Sequence, residues 1–130
     1  MIDRLIANLV RQDRGLLLLY VLLKEEFSLL SKSDPQGITA IEFSIHELMR
    51  QMAVEREDIR AMLGGQRLLE FCKTLPELKL PEIPGIAVQD KTPAQIIGEL
   101  VGGIEGKEGA CAKQSEQNST LALALLDQNK

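Results

Sequence analysis

The residues of this sequence that could do chemistry are few and scattered. His46 is the single histidine, and Cys72 and Cys111 lie far apart, outside any CxxC or Cys/His pattern. Because a zinc site or a disulfide framework needs clustered ligands or paired cysteines, we expect neither in this chain. A reducing cytosol is the simplest compartment for such cysteine usage.

Acidic residues form two groups that could be read as paired carboxylates. Glu25 and Glu26 are adjacent, and Glu55, Glu57 and Asp58 make the second group. Carboxylate metal sites in helical bundles use Glu-x-x-His pairs on facing helices, and a chain with one histidine cannot supply two such pairs. The sequence also holds no Gly-rich phosphate loop and no nucleophile elbow. We therefore expect no catalytic residues, no cofactor and no enzyme activity.

Composition favours packed helices in one domain. The chain has 130 residues, of which 45% are hydrophobic and only 3% aromatic, and its net charge is −4. A β-sandwich usually needs more aromatic residues, and a nucleic-acid-binding surface needs clustered basic residues. The longest apolar run, residues 16–23, is far shorter than the roughly 20 residues of a transmembrane helix. We expect neither nucleic-acid binding nor a membrane span.

The strongest structural signal is a long helix over residues 34–65. Asp34 can cap its first N–H groups, Pro35 fits its first turn, and Gly64 with Gly65 marks its end. Between these signals, apolar residues recur every three or four positions and form one stripe. This seam, predicted to be structural core, consists of Ile38, Ile41, Ile45, Leu48, Met52, Ile59 and Met62.

A similar stripe predicts another long helix over residues 2–33, and the short joint between the two makes them antiparallel neighbours. Residues 16–23 are apolar on every face, so at least one further element must pack against them. Gln12, Glu26 and Glu55 interrupt the two seams. The pattern leaves open whether these three are buried groups that fix the register or are hydrated where the helices bend.

The rest of the chain divides into a connector and a C-terminal helix. Prolines at 76, 81 and 84 predict an extended connector over residues 76–91. Thr92, Pro93 and Gln95 form a helix-start signal for residues 92–130. Five glycines between 98 and 109 predict that this helix is broken or frayed.

The sequence thus predicts an all-α fold of one domain. A long antiparallel helical hairpin occupies residues 1–75, and a third, less regular C-terminal helix packs beside it as in a three-helix bundle.

Features spread over most of the chain carry a resemblance to a known family. They are Leu16, Leu19, Leu23, Glu25, Glu26, Phe27 and Leu30 in the first helix; Asp34 at the turn; Ile38, Ile41, Leu48, Met52, Glu55, Arg56 and Ile59 in the second helix; and Ser115, Asn118, Leu121, Leu125 and Leu126 near the end. This arrangement resembles the FlgN family of flagellar type III export chaperones.

The resemblance implies a cytoplasmic, non-enzymatic chaperone for the hook-associated proteins of the hook–filament junction. Such a chaperone binds the helical end of its client, prevents premature association and brings the client to the export apparatus. An apolar hairpin with a loosely held third helix can offer a groove to an incoming helix. We hypothesise that the client contacts are made by Ile97, Leu100, Val101, Ile104, Leu121 and Leu125.

Two other functions stay open at this stage. A structural or scaffolding bundle would bury the same stripes by self-assembly, so a homo-oligomer is one alternative. A small regulatory four-helix subunit of an enzyme is the other, and it would require a metal or a nucleotide.

Overall fold

The computed structural model describes residues 1–75 and 91–128, and every regular element within them is a helix. Four helices occur there in chain order: α1 (Ile2–Ser31), α2 (Pro35–Leu63), α3 (Leu68–Cys72) and α4 (Pro93–Gln128). The predicted all-α fold and its helical hairpin are therefore confirmed. The predicted connector lies outside the described residues except for Lys91.

The ends of α2 and α4 are set by the residues that the local signals indicate. A carboxylate oxygen of Asp34 accepts a hydrogen bond from the N–H of Gly37 at 3.1 Å, and Gly64 ends α2 with a left-handed φ of 58°. At the start of α4, the Thr92 hydroxyl accepts from the N–H of Gln95 at 3.2 Å, and the Gln95 amide oxygen accepts from the N–H of Thr92 at 2.9 Å. This reciprocal pair is a capping box.

The hairpin of α1 and α2 packs closely at Gly15. A Cβ atom added to Gly15 would lie 3.3 Å from Cγ and Sδ of the buried Met52 on α2. Glycine has low helix propensity, but here the missing side chain makes room for the neighbouring helix. The residue that weakens α1 locally therefore also permits the close approach of α2.

The predicted break in the C-terminal helix is wrong, because α4 is one continuous helix of 36 residues. Added Cβ atoms at Gly98, Gly102, Gly106 and Gly109 would meet nothing within 4 Å, so these glycines are not on the face that contacts α1. Each costs up to about 1 kcal/mol of helix propensity. Burial of the opposite face of α4 offsets that cost, since each fully buried aliphatic side chain contributes about 1.5–3 kcal/mol.

Helix α1 lies in the middle of the molecule. It packs against α2 on one side and α4 on the other, whereas α2 and α4 make almost no direct contact with each other. Helix α2 runs antiparallel to α1, and α4 runs parallel to it, as successive α1–α4 contacts from Asp13–Lys107 to Leu23–Asn118 show. The extra element that residues 16–23 require is therefore α4.

Candidate functional site

An open groove separates α2 from α4 in the half of the molecule that contains the hairpin turn. It encloses about 490 Å³, with α1 as its floor. The lining residues are Leu19, Leu23, Glu26 and Leu30 of α1, Glu42, Ile45, His46 and Met49 of α2, and Cys111, Ala112, Ser115, Asn118, Ser119 and Ala122 of α4. We call this feature the α2–α4 groove.

The α2–α4 groove continues towards the hairpin turn. A second depression of about 340 Å³ shares Leu30 and Ala122 with it and extends to Ile38, Leu125 and Leu126. From Leu19 to Leu30, the floor spans about 16 Å at 1.5 Å per residue. This length matches three turns of a helix, and three of the four floor residues are leucine, with Glu26 as the exception.

At the opposite end of the molecule, a short helix of the chain packs on the core. Leu68 and Phe71 of α3 pack against the core, and Cys72 is buried in it. Leu68 lines a small depression of about 250 Å³ together with Ile59 of α2 and Val101 of α4. Helix α3 therefore lies beside the space between α2 and α4 at the end away from the groove.

The α1–α4 interface beside the groove is polar. The side-chain amide of Asn118 donates hydrogen bonds to the Leu23 carbonyl oxygen at 2.8 Å and to Oε1 of Glu26 at 2.7 Å. Gln114 donates to Oδ1 of Asn118 at 2.9 Å, and the Cys111 thiol donates to the Leu16 carbonyl oxygen at 3.4 Å. These residues of α4 follow heptad spacing, so they occupy seam positions that are usually apolar.

The interface at the other end of α4 is apolar. Ile96, Ile97 and Ile104 are buried there, together with Leu5 and Ile6 of α1. Since apolar burial is the main favourable term in helix packing, the N-terminal half of α4 is held more strongly than the half beside the groove. The two ends of one helix therefore differ in how easily they can part from α1.

The polar residues that interrupt the hairpin seams are also paired. Gln12 is buried and donates to Oδ1 of Asn8 at 2.7 Å, while Asn8 donates to the Glu55 carbonyl oxygen at 2.9 Å. The Glu55 carboxylate accepts two hydrogen bonds of 2.9 Å from Arg11, and this contact raises the pKa of the guanidinium. Of the two alternatives that the sequence leaves open, burial applies to Gln12, although its hydrogen bond stays within α1, and Glu26 and Glu55 are half-buried and paired with residues of other helices.

The six hypothesised client-contact residues fall into two sets. Ile97 and Ile104 are buried against α1, and Leu100 and Val101 are partly buried beside them. Leu121 and Leu125 lie near the open end of α4 and are half-buried, with Leu125 next to the groove and Leu121 near Phe27 on the other side of α4. In this structure Ile97 and Ile104 are inaccessible unless α4 moves, whereas the other four residues are partly exposed.

The predicted α2 seam faces α1, and its residues are buried to different degrees. Ile45 and Met52 are buried, and the remaining seam residues are partly buried against the core or beside the hairpin turn: Ile38, Ile41, Leu48, Ile59 and Met62.

Of the residues considered for chemistry, Glu26, His46 and Cys111 line the α2–α4 groove, whereas Glu25, Glu57 and Cys72 do not. His46 is exposed at the edge of the groove, and Glu57 pairs with Arg60 at 3.2 Å. Across residues 1–75 and 91–128, no three His, Cys, Asp or Glu side chains are grouped as metal ligands would be. Burial raises the pKa of both Cys72 and Cys111, and Glu108 adds to the effect at Cys111. Both thiols are free.

Sequence reasoning missed the residues that form the groove walls. Glu42 and Met49 lie just off the predicted α2 seam, where a periodic pattern predicts only a solvated boundary. A detectable signal was the polar run of seam positions at 111, 114 and 118, which predicts weaker closure of this end of the bundle.

The helices define a class of protein: an all-α bundle with an open, helix-sized groove and no assembled catalytic group in the described residues. No described helix is both long enough and apolar enough to cross a lipid bilayer. A family model described as FlgN protein matches residues 1–130, and the chain therefore belongs to the FlgN family. This is a family of flagellar export chaperones. No curated protein and no solved structure matches the chain.

Proposed function

We propose that this chain is a cytoplasmic chaperone that binds the helical ends of hook-associated, hook–filament junction proteins in the α2–α4 groove. The bound client is thereby kept from premature association until it is passed to the export apparatus. The observation that carries the proposal is the open groove itself, which has a leucine-rich floor, the length of a short helix, and walls on α2 and α4 that make almost no direct contact with each other.

The kind of occupant follows from the rest of the fold. Leu68 of α3 shares a depression with residues of α2 and α4 at one end of the molecule, and a helix bound in the open half would complete a four-helix bundle with α1, α2 and α4. An amphipathic helix would lay its apolar face on Leu19, Leu23 and Leu30. Clients with such helices self-associate through the same face, and occupation of the groove would prevent this.

The six α4 residues predicted from the sequence enter the proposal in two roles. Leu125 extends the groove and can contact a client that reaches the hairpin end, whereas Leu121 lies on the other side of α4 near Phe27 and would contact only a client that also reaches that side. Ile97 and Ile104 would contact a client only if the N-terminal half of α4 left α1, while Leu100 and Val101 are partly exposed beside them.

A matched pair of substitutions on α2 tests the groove. Met49 and Val54 are about equally exposed, at 49% and 51%, but only Met49 lines the groove. Met49→Asn should weaken binding of the C-terminal segments of hook-associated proteins by about tenfold in calorimetry, because a half-buried apolar side chain contributes roughly 1–1.5 kcal/mol. Val54→Asn should leave the affinity unchanged. Equal affinities of the wild type and Met49→Asn would contradict this site.

Self-assembly is the competing function, and three exposed residues of α1 favour it. Leu17, Leu18 and Val21 are each about half exposed, on the side of α1 away from the groove. Light scattering separates the two functions. A monomer that becomes a one-to-one complex with a client segment supports the chaperone, whereas a tight oligomer that binds no segment supports a scaffold.

A further inference from the structure

The α2–α4 groove carries charge of one sign. Glu26 and Glu42 are the acidic residues in its lining, and no Lys or Arg contributes to it. Glu26 rises from the floor, where one of its oxygens already accepts the amide of Asn118 at 2.7 Å. Glu42 lies on the α2 wall and is exposed.

Within the described residues, three of the five acidic residues of α2 form ion pairs with arginine and Glu42 and Asp58 do not; of these two, only Glu42 lines the groove. Glu47 pairs with Arg50, Glu57 with Arg60, and Glu55 with Arg11. The side chains three and four residues after Glu42 are Ile45 and His46, and no hydrogen bond or ion pair is made by Glu42 within residues 1–75 and 91–128. Its carboxylate is therefore available to pair with a cationic group of a bound partner.

Filling the groove with a helix would take water away from both carboxylates. Removing solvent from an ionised carboxylate is costly unless a cation or hydrogen-bond donors replace the lost water. A purely apolar helix would leave that cost uncompensated, and an acidic helix would add repulsion. A helix with a basic side chain at the border of its apolar face would offset the cost.

We infer that the groove selects client helices that carry an Arg or Lys positioned to pair with Glu42, with Glu26 adding to the attraction. This inference rests on the proposed function and specifies the chemistry of its partner. The apolar floor supplies affinity for any amphipathic helix, and the two carboxylates discriminate among such helices by charge.

The test uses the full chain and the C-terminal segment of a hook-associated protein that binds it. Glu42→Gln removes the unpaired carboxylate, and Glu25→Gln is the matched control, because Glu25 is exposed on α1 and outside the groove lining. Glu42→Gln should weaken binding about fivefold at low ionic strength, and about 0.5 M salt should shrink the difference. Glu25→Gln should bind as the wild type does.

A double-mutant cycle assigns the partner cation. Each basic residue of the segment is changed singly to Gln, and one of these changes should have little further effect in the Glu42→Gln background. Equal or tighter binding by Glu42→Gln would overturn the inference while leaving the groove as the client site. If no segment binds the wild-type chain, the proposed function fails and the inference fails with it.

Discussion

The side-chain amide nitrogen of Asn118 lies 2.8 Å from the carbonyl oxygen of Leu23, and this hydrogen bond joins α4 to α1 in the floor of the α2–α4 groove. The same amide also donates to Glu26. Polar contacts of this kind hold one half of α4, whereas aliphatic burial holds the other half. This difference underlies the first two predictions.

Removing the Asn118 side chain should loosen α4. Asn118→Ala deletes the contacts with Leu23, Glu26 and Gln114, and we expect a loss of about 1–3 kcal/mol in the free energy of unfolding, because buried partners are left unsatisfied. Urea unfolding followed by circular dichroism measures it. Gln117→Ala, one residue away and exposed, is the control and should change little. Unaltered stability of Asn118→Ala would show that the polar seam does not hold α4.

Cysteine labelling should report on the opening of α4. Both thiols are buried and their pKa values are raised, so the reactive thiolate is disfavoured in the folded chain. With Ellman's reagent at mildly alkaline pH, a Cys72→Ser variant should label at Cys111 far more slowly than in urea, and a bound client segment should slow it further. Labelling at the unfolded rate without urea would contradict the burial of Cys111.

Two glycines with open surroundings should respond in opposite directions to the same substitution. Nothing lies within 4 Å of a Cβ added at Gly106 or Gly64, but Gly64 has a φ of 58° and Gly106 is helical. Gly106→Ala should stabilise the chain by about 0.5–1 kcal/mol, because alanine has the better helix propensity. Gly64→Ala should destabilise it by about 1 kcal/mol, because a Cβ atom disfavours left-handed backbone. Denaturant unfolding of both variants measures the two changes in the free energy of unfolding, which should have opposite signs. Destabilisation by Gly106→Ala would indicate that this glycine faces a contact.

Substitutions at two hypothesised client-contact residues should differ in their effects on the free energy of unfolding and on client affinity. Ile97 is 0% exposed, so Ile97→Ala should cost about 2–4 kcal/mol of unfolding free energy. Leu125 is half-buried at the open end, and Leu125→Ala should cost less than about 1 kcal/mol while weakening client binding several-fold. Thermal unfolding and calorimetry on the same samples make the comparison. A large stability loss at Leu125 with unchanged affinity would remove it from the client site.

The ends of the helices could be predicted from the sequence, because caps are local interactions. Asp34, Thr92 with Gln95, and Gly64 each act within a few residues of their own position, and each has the predicted role. The seam of α2 was predictable for a similar reason, since a stripe of heptad spacing has to face another helix. Family resemblance pointed to a chaperone, and the match over residues 1–130 confirms the family.

Continuity of α4 could not be read from its glycines. Propensity counts each glycine as a cost, but it does not show that Gly98, Gly102, Gly106 and Gly109 lie away from α1. Only the packing of the opposite face on α1 decides whether the helix persists.

The sequence by itself determined that this protein is a bundle of long helices, where α2 begins and ends, and where α4 begins, because periodicity and capping are encoded by neighbours along the chain. The tertiary structure alone decided that α2 and α4 stay apart over Leu23 and that Glu42 faces the space between them. That separation depends on how three helices pack around one another, and the spacing of residues along a single helix does not predict it.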